Sequence, residues 1–232
     1  MHHPESMALP QPDPDSLAHS ERVAAAIRDR ITEAGGSISF AEYMHHCLYA
    51  PGLGYYTAGA TKFGQAGDFV TAPEVSAVFG RLLARQCAEV LAPLESPGIL
   101  EIGAGSGRLA ADILETLTAD DALPAGGYHI LEVSPDLQQR QRALLAERVP
   151  DALESVRWLD AMPANFTGAV IANELLDALP VERFVRRAGG VRQVCVAQNG
   201  DAFRLIDREA PGKLERAVRH IEETLGATLA DG

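Results

Sequence analysis

Cysteine is scarce in this chain, whose 232 residues include only Cys47, Cys87 and Cys195. The three stand far apart, form no Cys-x-x-Cys pair and are odd in number, which argues against a disulfide framework and a zinc ribbon. This pattern favours a reducing compartment. The adjacent His2 and His3 lack the further ligands that a metal site needs, so we predict no metal site.

Basic residues and long apolar runs are also in short supply. Lysine and arginine total 20 against 32 acidic residues, which gives a net charge of −12. Binding to a phosphate backbone requires a basic face, so nucleic acid is not an expected partner. No apolar run approaches the roughly 20 residues of a bilayer span, so no membrane partner is expected.

The amino-terminal residues lack the basic and apolar segments of a secretory signal and the arginines of a mitochondrial transit peptide. We therefore expect a cytoplasmic protein, or a mitochondrial one only if a transit peptide is missing from this sequence. Residues 1–15 contain four prolines and few apolar side chains, which predicts a disordered tail.

The remaining composition, with 47% hydrophobic and 22% charged residues, is ordinary for a globular protein. Apolar residues at helical spacing predict a helix capped by Ser16 and ending at Gly35, and a shorter one behind Ser39. Residues 51–73 have no clean periodicity, and residues 74–91 return to a helical pattern. We group residues 16–95 as an amino-terminal helical and lid region.

Residues 96–180 alternate short apolar strands with helices, which predicts a parallel α/β sheet. The predicted strands are 99–102, 128–133, 156–159 and 169–172, with helices around 109–117 and 136–148. After residue 180 the period changes to two, and the turns Gly189-Gly190 and Asn199-Gly200 predict an antiparallel meander. Pro211 opens a last helix, so residues 181–232 form a meander and terminal helix.

The strongest chemical signal lies between the first strand of this sheet and its helix. Glu101 is followed by Gly103, Gly105 and Gly107, and glycines allow a ligand to lie against bare backbone at a helix N-terminus. Dinucleotide folds place their third glycine three positions after the second, where this chain has Arg108. Glu-x-Gly-x-Gly-x-Gly instead resembles motif I of the class I S-adenosylmethionine (SAM) methyltransferases. That resemblance implies that the turn receives the methionine part and that Glu101 binds its ammonium, directly or through water.

Two further acids follow the next strands. Glu132, 25 residues after Gly107, ends the second strand, where an acid accepts hydrogen bonds from ribose hydroxyls. The alternative is a solvated glutamate at a strand end. Asp160 follows the third strand, where side chains of SAM-binding folds commonly meet the adenine amino group. The alternative for Asp160 is a loop or capping aspartate.

The fourth strand ends at Asn173-Glu174, where ligands bind in open parallel sheets. In class I methyltransferases this position faces the reactive methyl group, so Asn173 is a candidate cofactor-binding residue. Glu174 and Asp177 are candidate catalytic residues, because a carboxylate can hold a cationic acceptor such as guanidinium or accept its proton. The alternative is an acidic pair that offsets a helix macrodipole.

Several longer stretches resemble the MidA-like SAM-dependent methyltransferases, whose mitochondrial member is a complex I assembly factor. They are Phe-Ala-Glu-Tyr-Met at 40–44, Leu-Tyr-Ala-Pro at 48–51, Gly-Tyr-Tyr at 54–56, Gly-Asp-Phe-Val-Thr-Ala-Pro-Glu-Val-Ser at 67–76, Phe-Gly at 79–80 and Asn-Glu-Leu-Leu-Asp-Ala-Leu-Pro at 173–180. The resemblance extends from about residue 20 to 190. It implies SAM as cofactor, a protein as substrate and, for the mitochondrial member, dimethylation of an arginine.

The resemblance makes residues 67–74 a candidate lid or acceptor wall, with Asp68, Thr71 and Glu74 as its polar groups. The alternative is a packed loop in which Thr71 and Glu74 form a capping box for the following helix. Tyr55 and Tyr56 are candidates for an acceptor pocket, with a core position as the alternative.

The expected fold is a Rossmann-like class I methyltransferase sheet with helices on both faces, a helical amino-terminal extension and a carboxyl-terminal meander. Class I sheets usually have seven strands and the family is longer, so the sheet looks truncated beside its fourth strand. We therefore expect this chain to bind SAM poorly or not at all unless a partner or the missing strands complete the sheet. The alternative functions are a non-catalytic assembly protein that keeps the SAM fold, an inactive fragment of the enzyme, and a nucleotide-dependent oxidoreductase, which the glycine spacing disfavours.

Overall fold

The computed structural model describes residues 12–58 and 71–231. These residues form two compact units. The first contains the described residues up to Ala58 together with those from Pro180 onward, and the second contains those from 71 to Leu179. The first unit is thus assembled from two segments that are distant in sequence, a grouping that the linear domains predicted above do not contain.

The helices are α1 Pro14–Glu33, α2 Phe40–Tyr49, α3 Ala72–Val75, α4 Ala77–Leu91, α5 Arg108–Ala119, α6 Pro135–Arg148 and α7 Gly212–Leu225. The strands are β1 Ile38–Ser39, β2 Gly98–Ile102, β3 Tyr128–Leu131, β4 Val156–Leu159, β5 Gly168–Ile171, β6 Phe184–Arg187, β7 Gly190–Asn199 and β8 Ala202–Glu209. Short 3-10 helices cover Pro150–Ser155 and Leu176–Ala178. Within the described part of the chain, every helix is too short or too polar to traverse a bilayer.

The second unit contains a four-stranded sheet in the order β4-β3-β2-β5, with every pair of neighbours parallel. Central β2 places Leu100 between His129 of β3 and Val170 of β5. The four predicted parallel strands are confirmed. In the described part of this unit β5 pairs with β2 alone, so it is an edge strand of the sheet.

Helix α5 is buried on almost every side, because it packs against α4, α6 and the sheet. Six of its apolar residues are nearly inaccessible: Leu109, Ala110, Ala111, Ile113, Leu114 and Leu117. Burial of a leucine-sized side chain contributes about 1.5–3 kcal/mol, so this helix is the main apolar anchor of the unit. The same packing fixes its amino terminus at the end of β2.

Polar caps define most of the helix starts. Ser39 accepts from the backbone N–H of Glu42 and caps α2, and Ser134 accepts from that of Leu137 and caps α6. The predicted cap of the first helix is wrong, since Asp13 rather than Ser16 caps α1. An ionised carboxylate accepts from two backbone N–H groups there, at 2.9 and 3.0 Å, while Pro14 suits the first helical position. Helix α1 therefore includes two residues of the predicted tail, and the tail's residues 1–11 lie outside the described residues.

The helical pattern at 74–91 is divided in two by Ser76. Its extended backbone, with φ −157° and ψ 138°, ends α3 and begins α4, and its hydroxyl accepts from the Val78 N–H. A serine that hydrogen-bonds the next turn competes with a continuous helix.

The first unit is a meander around the ten-residue strand β7, as predicted. Strand β8 pairs along one edge of β7, while β6 and the short β1 pair with its other edge. Strand β1 is not predicted by the sequence pattern and pairs Ile38 with Val196. Ile27 and Ile31 of α1 pack against these two residues, which makes a separate small core.

A buried ion pair joins α5 to α6 in the second unit. The Asp112 carboxylate is 3% exposed and lies 2.7 Å from the Arg148 guanidinium, which also contacts Glu115 at 2.7 Å. Helix α4 approaches the same place closely, since a Cβ built on Gly80 would lie 2.5 Å from Asp112 Cβ. Only glycine fits at this helix crossing.

We predict that Gly80→Ala lowers the free energy of unfolding by about 1–3 kcal/mol, because the added methyl group overpacks the α4–α5 contact. Alanine has the higher helix propensity by about 1 kcal/mol, so a loss must come from the clash. Urea denaturation measures the effect. Gly189→Ala is the control, since that turn position has no atom within 4 Å of its added Cβ. Equal stability of the two variants would contradict the close packing.

Candidate functional site

The cofactor-binding and catalytic residues predicted from the sequence lie at or after the carboxyl ends of the four parallel strands. The glycine turn follows β2, Glu132 follows β3, Asp160 follows β4 and Asn173-Glu174 follow β5. Parallel strands end at the same edge of their sheet, so these groups lie at one edge of the second unit.

The glycine turn has a backbone that side chains disfavour. Gly103, Gly105 and Gly107 have φ of +70°, +54° and +84°, all in the left-handed region. A side chain there costs about 1–2 kcal/mol per residue, so glycine is favoured at each position. Gly107 is the N-cap of α5 and has no side chain to satisfy the first N–H groups of that helix. The turn thus combines bare backbone with a helix amino terminus, which suits a small anionic group.

Glu101 is a buried carboxylate immediately before this turn. It is 2% exposed, and its Oε2 accepts a hydrogen bond from the Tyr128 hydroxyl at 2.7 Å. Burial raises the pKa of Glu101 to about 7, the Tyr128 hydrogen bond opposes that shift, and the nearby Glu132 charge adds to it. The side chain is therefore poised between its neutral and ionised forms near neutral pH.

Glu132 is a second buried carboxylate, on the neighbouring strand end. It is 6% exposed, so it is not a solvated strand-end glutamate. Oε1 accepts from the Ser134 N–H at 2.9 Å and Oε2 from the Gln141 amide at 3.3 Å. Burial raises the pKa of Glu132, while these two hydrogen bonds oppose the shift.

Gln141 of α6 is a site residue that the sequence reasoning missed. Its side chain amide also donates to the Gly105 carbonyl at 3.0 Å and accepts from the Trp158 indole at 3.0 Å. One residue therefore touches the glycine turn, the Glu132 carboxylate and strand β4. Its spacing from Leu145 could have indicated that Gln141 is buried, because the two residues lie one helical turn apart on the inward face of α6.

Glu74 of α3 also reaches the glycine turn. Its carboxylate accepts a hydrogen bond from the Ser106 hydroxyl and lies 3.7 Å from the Arg108 guanidinium. The alternative of a Thr71–Glu74 capping box is wrong, because Thr71 caps α3 without a side-chain hydrogen bond. A cationic partner and a hydroxyl donor stabilise the carboxylate more than a four-residue helix can. Asp68, the third polar candidate of that segment, lies outside the described residues.

The segment after β5 packs on the glycine turn. A Cβ built on Gly103 would lie 2.9 Å from Leu175 Cδ1, so the two loops are in contact range. Glu174 is exposed and has a φ of +48°, a left-handed conformation that few non-glycine residues adopt. Asp177 is exposed in a three-residue 3-10 helix, which offers little macrodipole to offset.

The structure therefore connects only some of the predicted residues directly. Glu101 and Glu132 interact electrostatically, and Gln141 joins Glu132 to Gly105. Asp160 is exposed after β4 and Asn173 is half-buried after β5. Tyr55 and Tyr56 belong to the first unit, where their rings pack edge to face at 5.1 Å and Tyr56 stacks on Tyr49.

Comparison with known proteins identifies relatives of this chain. A family described as "Putative S-adenosyl-L-methionine-dependent methyltransferase" matches residues 82–229. The crystal structure of a Burkholderia thailandensis protein of the COG1565 superfamily, bound to S-adenosyl-homocysteine, is 42% identical and superposes with a TM-score of 0.78. That match covers 93% of this chain and 57% of the other.

Curated relatives include the mitochondrial protein arginine methyltransferase NDUFAF7 of Danio rerio, 34% identical over 84% of this chain and 50% of its own length. The Homo sapiens protein of the same name is 30% identical over 81% of this chain and 48% of its own. This chain thus spans about half the length of the curated relatives that it matches. The family match, the shared fold and the glycine turn agree, and the chain belongs to this family of SAM-dependent methyltransferases.

Proposed function

We propose that this chain binds SAM at the carboxyl edge of its parallel sheet and takes part in methyl transfer to an arginine side chain of a protein. The observation that carries the proposal is the left-handed glycine turn with a buried carboxylate at each of two adjacent strand ends, Glu101 and Glu132. All of these groups lie in one compact unit.

Each polar part of the cofactor has a matching group in this unit. The glycine turn and the amino terminus of α5 suit the methionine carboxylate, and ionised Glu101 suits its ammonium. Glu132 retains acceptor capacity for ribose hydroxyls after its two protein hydrogen bonds. Asp160 and Asn173 are proposed contacts to the adenine and methionine ends, from the same edge. When bound, the cofactor supplies an electrophilic methyl group on a sulfonium.

The proposed acceptor is a cationic side chain held by Glu174 and Asp177. Both carboxylates are exposed, and Glu174 has an unfavourable backbone conformation that its surroundings must stabilise. Carboxylates bind guanidinium through paired charge-assisted hydrogen bonds, which orients the nucleophilic nitrogen. The names of the curated relatives support arginine as the acceptor. Those relatives are mitochondrial by name, and the cytoplasmic location expected for this chain stays a prediction.

Calorimetric titration of the 232-residue chain with S-adenosyl-homocysteine tests cofactor binding. Stoichiometric, tight binding supports the proposed site and contradicts the weak binding expected from a shortened sheet. Stabilisation against heat by NAD instead of the SAM product would favour an oxidoreductase, because only a bound ligand raises the unfolding midpoint. Absence of binding by either ligand would contradict the proposed cofactor site.

We predict that Gly105→Val lowers affinity for S-adenosyl-homocysteine by at least a hundredfold, because the side chain enters the cofactor's path. Gly200→Val is a matched control, since Gly200 has a φ of +59° in the β7–β8 turn and open space around its Cβ. Both variants bear left-handed strain of about 1–2 kcal/mol, but only the first should lose binding in the titration. Equal affinities would place the ligand elsewhere.

The affinity should also depend on pH through Glu101. Its pKa is raised to about 7, so the ionised form that binds ammonium is lost as pH falls through that value. We expect affinity for S-adenosyl-homocysteine to rise from pH 6 to about 7.5, because ionised Glu101 is the form that pairs with the ligand's ammonium. Glu101→Gln should remove the acidic limb of a Kd–pH profile. A limb that persists in this variant would assign the titration to another group.

Methyl transfer tests the acceptor proposal. With radiolabelled SAM, the chain should label an arginine-containing peptide but not the same peptide with lysine in place of arginine. Glu174→Gln should reduce the rate by about 10²–10³-fold, because the acceptor loses its orienting or proton-accepting group. Glu154→Gln, an exposed glutamate at the opposite edge of the sheet, is the control. Cofactor binding without any labelling would favour the non-catalytic alternatives.

A further inference from the structure

Gln141 is a polar side chain in a position that normally holds an apolar one. It is 0% exposed on α6, one turn before the equally buried Leu145. Burying an amide costs free energy unless its hydrogen bonds are formed, so a glutamine at such a place has specific partners. Those partners come from three separate elements of the second unit.

The orientation of the amide follows from Trp158. An indole N–H can only donate, so the oxygen of Gln141 must face it, at 3.0 Å. The amide nitrogen must then face the Gly105 carbonyl at 3.0 Å and the Glu132 carboxylate at 3.3 Å. Trp158 is itself held by the Arg142 guanidinium, 3.8 Å from its ring centroid. The donor end of Gln141 is thereby directed at the two cofactor-binding elements.

The glycine turn also packs directly on this residue. A Cβ built on Gly107 would lie 3.1 Å from Gln141 Cγ and 3.3 Å from its Cα. Gln141 therefore supports the turn from below through van der Waals contact and through the hydrogen bond to Gly105. A change in its position would move the turn and the Glu132 carboxylate together.

The remaining acceptor capacity of Glu132 is set by these contacts. A carboxylate has about four lone-pair positions, and Ser134 and Gln141 occupy one on each oxygen. The Val133 backbone N–H also acts on this carboxylate, which leaves at least one lone-pair position for a ribose hydroxyl. The orientation of Glu132 toward a ribose then depends on these protein donors.

We propose that Gln141 is a positioning residue for cofactor recognition, which aligns the Glu132 carboxylate and the glycine turn through one amide. The assignment rests on the proposed function, because it concerns the same SAM site. It goes further by giving ribose recognition a residue on α6 that itself does not need to touch the ligand. The part of its effect on affinity that passes through Glu132 is then lost when Glu132 is replaced, and the part that passes through the glycine turn remains.

A double-mutant cycle on the full chain tests this coupling, with S-adenosyl-homocysteine as the probe and calorimetry as the readout. Gln141→Met, which conserves length, should weaken binding about tenfold, since a hydrogen bond to a charged group is lost. In the Glu132→Gln background the same change should cost no more than about threefold. Gln139→Met, an exposed neighbour on α6, is the matched control and should leave the Kd unchanged.

The outcomes separate the two proposals. Equal fold losses in both backgrounds, or unchanged affinity of Gln141→Met, would overturn the positioning role while the wild-type titration still supports the SAM site. A wild-type chain that binds no S-adenosyl-homocysteine would overturn both.

A ligand-free measurement covers the case in which Gln141→Met folds poorly. Gln141→Glu places two carboxylates against each other and should lower the thermal midpoint by several degrees. Adding Glu132→Gln exchanges the donor and acceptor and should recover part of that loss, because the hydrogen bond can form in the opposite sense. No recovery in the double variant would show that the two side chains are not coupled and would overturn the assignment.

Discussion

Two carboxylates buried at adjacent strand ends, Glu101 and Glu132, impose the strongest constraint on the second unit. A buried carboxylate requires donors or opposite charge, and a second one nearby makes that requirement greater. The unit meets it with the Tyr128 hydroxyl, the Ser134 backbone and the Gln141 amide. Burial nevertheless raises both pKa values, so the protein alone does not fully compensate these charges. The proposed cofactor, with its ammonium and ribose hydroxyls, would supply the remaining stabilisation.

Much of this arrangement follows from local sequence patterns. The four parallel strands, the meander and the caps at Ser39 and Ser134 each depend on residues close together in the chain. The glycine turn is equally local, because three alternate glycines between a strand and a helix leave few other conformations. The edge that carries the candidate site then follows from parallel strand direction alone. The family match from 82 to 229 agrees with that prediction of the fold.

Contacts between distant residues account for what the sequence did not reveal. Gln141 meets Gly105 across 36 positions, and Glu74 meets Ser106 across 32. The capping-box pattern at Thr71–Glu74 depends only on spacing. The Thr71 side chain makes no capping hydrogen bond, and the Glu74 carboxylate instead lies near the charged Arg108 side chain. Strand β1 is two residues long, and its pairing with β7 gives no periodic signal. The sequence analysis missed Asp13 as the N-cap of α1 because the neighbouring prolines predicted a disordered tail. Pro14 at the first helical position is itself a signal for a helix start.

The carboxylates at this edge fall into two physical classes, and the difference bears on what each can do. Glu101 and Glu132 are buried and held by fixed donors, which suits a ligand whose polar groups never vary. Glu174 and Asp177 are exposed, and Glu174 has a left-handed backbone conformation. The next residue, Leu175, lies close to Gly103 of the glycine turn. An exposed carboxylate is accessible, so it can bind a cation that arrives on another molecule. Because Leu175 lies against Gly103, a group held by Glu174 would come close to the turn proposed to bind the cofactor. An in-line methyl transfer needs a donor held in a fixed position and an acceptor that can enter from solvent. The buried Glu101 and Glu132 suit the first requirement, and the exposed Glu174 and Asp177 suit the second.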